Sequence, residues 1–152
     1  MIKPDRQRSG LELLQSWIAD KRRPPMGDTL DFDLVEVDNG RAVFESTPGR
    51  HVLNPLGTVH GGYAATLLDS ACGCAALSTL GTDHTYTTVE LKVSYHRPIT
   101  VESGKLRTEG KIVSLGRRVA FTEARIVDSN GRLYASATST LLILEGLPNS
   151  GT

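Results

Sequence analysis

Asn54-Pro55-Leu56-Gly57-Thr58-Val59-His60-Gly61-Gly62 runs without a break into Tyr63-Ala64-Ala65-Thr66-Leu67-Leu68-Asp69. A turn ends, a histidine and two glycines open a helix, and a carboxylate sits inside it. From about His60 to Leu80 the chain carries helix formers with almost no β-branching, and Gly81 stands where a C-terminal cap belongs. Helical spacing puts Leu67, Leu68, Ala71 and Ala75 on one face, which reads as core. Gly62, Thr66, Asp69 and Gly73 fall on another, small and polar. The charge of Asp69 must reach solvent or face a partner that offsets its desolvation. Gly73 costs about 1 kcal/mol of helix propensity relative to Ala, so that face is expected to be approached closely by a ligand or a partner backbone.

Outward from this helix the pattern is legible. Leu11, Leu14, Trp17 and Ile18 are spaced for a short amphipathic helix that Arg22-Arg23-Pro24-Pro25 ends. Thr29 to Val37 and Arg41 to Ser46 flank an Asp38-Asn39-Gly40 turn, the signature of an antiparallel hairpin closed by Pro48-Gly49. Beyond Asp83, β-rich runs at Thr85–Tyr95, Gly104–Leu115, Arg118–Asp128 and Leu133–Leu144 are separated by turn chemistry and predict a four-strand antiparallel meander. Two strands, one long helix and four strands make an α+β fold, with Ala64, Ala65, Ala71, Ala75 and Ala76 letting a sheet approach the helix. At 152 residues the chain is expected to be one domain: an N-terminal helical segment over 1–25, a core over 26–146 and a tail over 147–152.

Composition excludes several function classes. Lysine plus arginine equals aspartate plus glutamate at 17 each, so there is no electrostatic footprint of a nucleic-acid or anionic-membrane binder. Met1 to Pro25 has neither an apolar span nor a cleavage-site pattern, which predicts a cytoplasmic protein with no membrane partner. Cys72 and Cys74 lie two apart on the helix, cannot form a normal disulfide, and read as small buried residues; no Cys/His cluster suggests a metal. There is no Gly-x-Ser-x-Gly elbow, Walker-type lysine loop, His-Glu-x-x-His or Rossmann glycine fingerprint.

Asn-x-x-Gly-x-x-His-Gly-Gly over Asn54–Gly62, the helix with Asp69, the strand Thr87-Thr88-Val89-Glu90-Leu91-Lys92-Val93-Ser94-Tyr95 with Arg97-Pro98, and the Gly116-Arg117-Arg118 hairpin together resemble the hotdog-fold acyl-CoA thioesterases, above all their phenylacetate-pathway (PaaI-like) branch. The likeness spans Thr29 to Leu144. It implies an antiparallel sheet wrapped around the long helix and hydrolysis of aromatic or medium-chain acyl-CoA. It also implies no cofactor beyond the coenzyme A of the substrate, and self-association as a dimer or a dimer of dimers.

The resemblance further implies roles. Asp69 is the general base or nucleophile, and the Gly61 amide at the helix N-terminus is the oxyanion donor, supplied by the other subunit. Asn54 and His60 orient the thioester or the attacking water, and Thr88 holds that water. Arg117 and Arg118, with Val119 and Ala120 beginning the next strand, meet the coenzyme A phosphates, and Tyr95 and Glu90 line the nucleotide or pantetheine channel. Trp17, Phe32, Leu53 and Tyr63 are candidates for the acyl pocket. Each residue also has a structural reading: Asn54 as a turn residue, His60 as a helix cap, Thr88 as a strand residue, the arginines as a solvated turn. The rival functions are a non-catalytic acyl-CoA sensor, expected to lack the helix acid, and a hotdog hydratase or dehydratase, which needs a different acidic arrangement.

Overall fold

The computed structural model describes residues 8–146; Met1–Gln7 of the N-terminal segment and the tail from 147 lie outside the described residues. Three α-helices and six strands follow in order: α1 (Gly10–Ala19), α2 (Pro25–Leu30), β1 (Phe32–Asp38), β2 (Arg41–Ser46), α3 (Gly61–Leu77), β3 (His84–Tyr95), β4 (Leu106–Leu115), β5 (Val119–Asp128) and β6 (Leu133–Glu145). The strands form one antiparallel sheet in the order β1-β2-β4-β5-β6-β3. Its concave face wraps α3, as the resemblance implies. No helix among the described residues is long and apolar enough to cross a membrane.

Helix α1 starts as a reciprocal capping box: Glu12 N donates to Ser9 Oγ, and Ser9 N donates back to the Glu12 carboxylate at 2.8 Å. It docks at the far end of α3, where the Gly10 amide donates to Leu80 O at 2.9 Å. The expected first strand begins three residues late. Pro24 and Pro25 preset a helical start, so Thr29 and Leu30 belong to α2, and Asp31 at φ 59° turns the chain into β1. The Asp38-Asn39-Gly40 hairpin is as expected, with Gly40 at φ 84°.

Helix α3 ends at Leu77 rather than near Leu80, and Gly81 is not its cap. Hydroxyls end it instead. Ser78 Oγ donates to Ala75 O and accepts from the Gly40 amide, while Thr79 Oγ1 donates to Ala76 O. The four-strand meander also needs correction: β4, β5 and β6 are consecutive neighbours, but β3 pairs with β6 at the sheet's far edge. His96-Arg97-Pro98 is therefore no hairpin. Both His96 and Arg97 donate their amides to Tyr134 O, and the chain then crosses the sheet's end to reach β4.

Burial follows the faces read from the helix. Leu67, Leu68 and Ala71 are fully buried in one cluster with Phe32, Phe44, Leu106, Ala124 and Ile126, Ala75 is fully buried as well, and each large apolar side chain so buried contributes about 1.5–3 kcal/mol. Phe32 and Phe44 meet edge to face, 5.7 Å between centroids. The sheet comes closest at Gly110, where an added Cβ would lie 2.3 Å from Ala71 O. Gly110→Ala is expected to lower stability by about 1–3 kcal/mol or more, because the obstacle is helix backbone and cannot step aside; a urea titration reads this.

Charged side chains on the outer face of β1, β2 and β4 pair extensively. The Arg23 guanidinium holds the Asp33 carboxyl below the usual range, and Arg107 and then Arg41 do the same for Glu36. At the β5–β6 turn, the Arg132 amide first, and then the Asn130 amide and the Tyr134 hydroxyl, lower Asp128. A carboxylate whose folded pKa is depressed adds stability above its unfolded pKa and loses it as pH falls through the folded value. The melting temperature is therefore expected to fall as pH drops below about 4, where unfolded carboxylates titrate. Added salt should shrink the contribution of exposed Asp33 and half-buried Glu36 more than that of buried Asp128.

Candidate active site

The loop before α3 is tied to the fold at several points. The His60 amide donates to Val52 O at 2.8 Å, the Val59 amide donates to Ile99 O at 2.9 Å, and Leu53 bridges Val59. Asn54 organises the turn between them. Its Oδ1 accepts from the Leu56 and Thr58 amides at 2.9 and 3.3 Å, its Nδ2 donates to Thr58 Oγ1 at 2.9 Å, and Gly57 takes φ 84°. The side-chain carbonyl of Asn54 is thus committed to the loop, and only one amide hydrogen remains for a ligand.

His60 caps α3. Its Nδ1 accepts the Gly62 amide at 2.8 Å, so a neutral ring carries its proton on Nε2, which is left to donate outward. The Tyr63 amide bonds His60 O at 3.0 Å. The Gly61 N–H, at the first helical position, has no partner among the described residues, and it sits at the positive end of the helix dipole. Tyr95 packs on this glycine: its hydroxyl donates to Gly61 O at 2.7 Å, and a Cβ on Gly61 would lie 3.0 Å from that oxygen.

Two turns along α3, Thr88 Oγ1 donates to Asp69 Oδ1 at 3.0 Å, both residues half-buried. A bulge aims this threonine. The β3–β6 register slips between Thr88 and Glu90, so Thr88 faces the helix, Leu91 and Val93 still reach the core, and Glu90 turns to the outer face, where it accepts from Thr140 Oγ1 at 3.2 Å. What approaches Gly73 is neither ligand nor partner backbone but Tyr86: a Cβ on that glycine would lie 2.3 Å from the Tyr86 hydroxyl oxygen. Burial, with Asp69 and the cysteines nearby, pushes the Tyr86 phenol up. Gly73 signalled a close neighbour, but nothing in the sequence said that it would come from thirteen residues downstream.

Other expectations sort clearly. Burial pushes the Cys72 and Cys74 thiols up to about 11 and about 12, so neither is a thiolate nucleophile near neutrality. Arg117 and Arg118 are exposed at the β4–β5 turn without an ion-pair partner among the described residues, and Val119 follows half-buried. Ala120 is fully buried with Ala76, Leu80, Leu141 and Ile143, so its side chain cannot touch coenzyme A. Of the acyl-pocket candidates, Leu53 and Tyr63 line a groove of about 310 Å³ with Leu30, Val52, His60 and Gly62. Phe32 belongs to the core, and Trp17 packs beneath the Arg22 guanidinium at 5.7 Å. A second groove of about 190 Å³ flanks Gly61 on its other side, lined by Val59, Ala64, Tyr95, Arg97 and Ile99.

The Gly61 amide and the Asp69 carboxylate lie eight residues apart on one helix, about 12 Å at 1.5 Å per residue. One chain cannot direct both at the same carbonyl.

The Thioesterase superfamily model matches residues 56–135, which include Gly61, Asp69, Thr88 and the arginine turn. A Saccharolobus solfataricus protein that bears the name "putative esterase" is 31% identical over 115 residues, 76% of this chain and 80% of that protein. A solved thioesterase family protein from Silicibacter pomeroyi superposes with a TM-score of 0.77 at 29% identity, covering 88% of this chain and 99% of that one. The solved E. coli PaaI protein of the phenylacetic acid degradation operon shares the fold, with a TM-score of 0.78 at 20% identity over 91% of this chain and 98% of its own. With that family match over a hotdog sheet, a helix acid and a free helix-start amide, the chain belongs to the Thioesterase superfamily and is a thioester hydrolase.

Proposed function

We propose that the protein hydrolyses acyl-CoA, releasing a free acid and coenzyme A, at sites that two copies build together. The observation that carries this reading is the Thr88–Asp69 hydrogen bond at 3.0 Å on the small-residue face of α3. It leaves the second carboxylate oxygen free to take a proton from water or to attack carbon, with a hydroxyl beside it to hold that water. The Gly61 amide of the other copy receives the charge that develops on the carbonyl oxygen. As the C–S bond breaks, the coenzyme A sulfur leaves as thiolate, which the outward Nε2–H of His60 is placed to hydrogen-bond, and the proton that Asp69 took from water passes to the sulfur or to solvent and restores the carboxylate. The free outer edge of β3, which carries Thr88, is where a second copy adds its own β3 and brings its Gly61 across.

The groove beside Gly62 takes the acyl group. Its lining of Leu30, Val52, Leu53 and Tyr63 suits an aromatic or medium-length chain, in keeping with the phenylacetate branch that the sequence resembles. Arg117 and Arg118 take the phosphates. Arg117→Ala and Arg118→Ala are each expected to raise KM severalfold with kcat little changed, the effect fading at high salt. The reading is tested by free-thiol release from a panel of aromatic and aliphatic acyl-CoAs. Turnover of aromatic or medium-chain members supports it; tight binding with no thiol released from any of them overturns it in favour of a sensor.

A further inference from the structure

Helix α2 is too short to stand alone. Its six residues make under two turns, no side chain caps its N-terminus, and a helix of this length is unstable in water without tertiary support. Yet it supplies a wall of the acyl groove: Leu30 lines it, and every other lining residue falls between His51 and Thr66. What holds Leu30 in place therefore fixes the room left in the groove.

Arg23 spans this helix. It stands one residue before the Pro24 N-cap, and its Nη1 meets the carboxylate of Asp31, the C-cap residue, at 2.8 Å. Its Nε and Nη2 fork onto the two oxygens of Asp33 in β1, Nη2 at 2.7 Å. One guanidinium thus ties both ends of α2 to each other and to the sheet. Asp31 sits at φ 59°, left-handed backbone that glycine adopts more readily, so a carboxylate kept there points to use of its side chain. The groove floor adds no hydrogen bond to this hold. Tyr63 lies near Asp31 and Ser46, but its hydroxyl and that of Ser46 are buried with no partner among the described residues. Besides the Arg23 clasp, α2 is seated by the close fit of buried Gly27, where an added Cβ would lie 3.1 Å from Phe32 O.

We propose that Arg23 is a positioning residue for the acyl group: by clasping Asp31 and Asp33 it holds Leu30 on the groove and so sets the longest acyl chain that the site accepts. Held down, α2 leaves about 310 Å³, at the small end of ligand pockets. Released, it lets Leu30 swing outward and a longer chain lie beneath it. Ion pairs to exposed carboxylates are weak and screened by salt, so the limit is soft and rises with ionic strength. This inference rests on the reading that the groove beside Gly62 takes the acyl group.

Thiol release from hexanoyl-, decanoyl- and myristoyl-CoA tests it with wild type, Arg23→Gln and Arg41→Gln, the last of which breaks ion pairs on the same sheet away from α2. Arg23→Gln is expected to raise kcat/KM for myristoyl-CoA relative to hexanoyl-CoA by about tenfold or more, the discrimination that a tight apolar pocket supplies, and to do so through KM rather than kcat. Salt should move the wild-type ratio the same way and leave that of Arg23→Gln unchanged, since contacts to the coenzyme A end cancel in the ratio. Arg41→Gln is expected to leave the ratio at its wild-type value. A ratio that Arg23→Gln does not move, or that Arg41→Gln moves as far, overturns the proposal while hexanoyl-CoA turnover leaves the hydrolase reading standing. Release of no thiol from any member by the wild type overturns both together.

Discussion

Asp69→Asn is expected to lower thiol release from acyl-CoA by about 10²- to 10⁴-fold, the contribution of a positioned general base, while leaving the melting temperature nearly unchanged. The two halves of this expectation come from different atoms. Thr88 Oγ1 donates to Asp69 Oδ1, and an asparagine amide oxygen accepts the same hydrogen bond, so the contact between β3 and α3 survives. Helix propensity differs little between the two residues. What disappears is the anionic oxygen, which takes the proton from water or bonds directly to the thioester carbon. Both routes end with the substitution, so the experiment does not depend on choosing between them. A folded Asp69→Asn protein that works within about tenfold of wild type, well inside the loss expected of a missing base, would remove this carboxylate from the chemistry.

Much of the fold was legible because local chemistry and long-range packing agree. The spacing of Leu11, Leu14, Trp17 and Ile18, the Asp38-Asn39-Gly40 turn and the β-rich runs of β5 and β6 each specify their element locally, and the structure keeps them. Reading failed where a distant partner decided. The place of β3 beside β6 is a long-range pairing of eleven residues, and nothing in His96-Arg97-Pro98 marks a crossing rather than a turn. The end of α3 does not follow residue type: Gly81 is the stronger cap by type, yet the Ser78 and Thr79 hydroxyls reach the last carbonyls first. Pro24-Pro25 both stops α1 and opens α2, because proline at a first helical position starts a helix.

The candidate site divides in the same way. Asp69, His60 and the glycines could be read because one contiguous segment carries them, and Thr88 followed from resemblance. The bulge that aims Thr88 at Asp69 shows in no residue type, since Val89 is an ordinary strand residue. Asn54 and His60 turn out to serve the loop and the cap with most of their polar atoms, while one Asn54 amide hydrogen and His60 Nε2 stay free. Structural and chemical roles are thus divided between atoms of the same side chain, and residue-level reading cannot separate them.

Gly61→Pro makes that division testable at the other end of the site, and is expected to cost about 10²- to 10³-fold in kcat, the loss on removing one oxyanion donor. Proline deletes the single N–H in question. It is well tolerated at a first helical position, and His60 at φ −61°, ψ 134° already has the extended conformation that the residue before proline prefers. The ring would crowd the Tyr95 hydroxyl, 3.0 Å from where a Cβ would stand, so Tyr95→Phe alone and combined with Gly61→Pro separates crowding from loss of the donor. The decisive step is to mix copies. If Asp69 of one copy works with Gly61 of the other, an Asp69→Asn copy paired with a Gly61→Pro copy rebuilds one unimpaired site from the two wild-type halves. Random pairing of equal amounts makes half the dimers mixed, each with one good site of two, so about a quarter of wild-type activity returns from two nearly inactive proteins by simple mass action. Sites completed within one chain would recover nothing on mixing. The same null result would contradict the 12 Å argument itself, since α3 is one continuous helix from Gly61 to Leu77 and cannot bring its own first turn to its own Asp69.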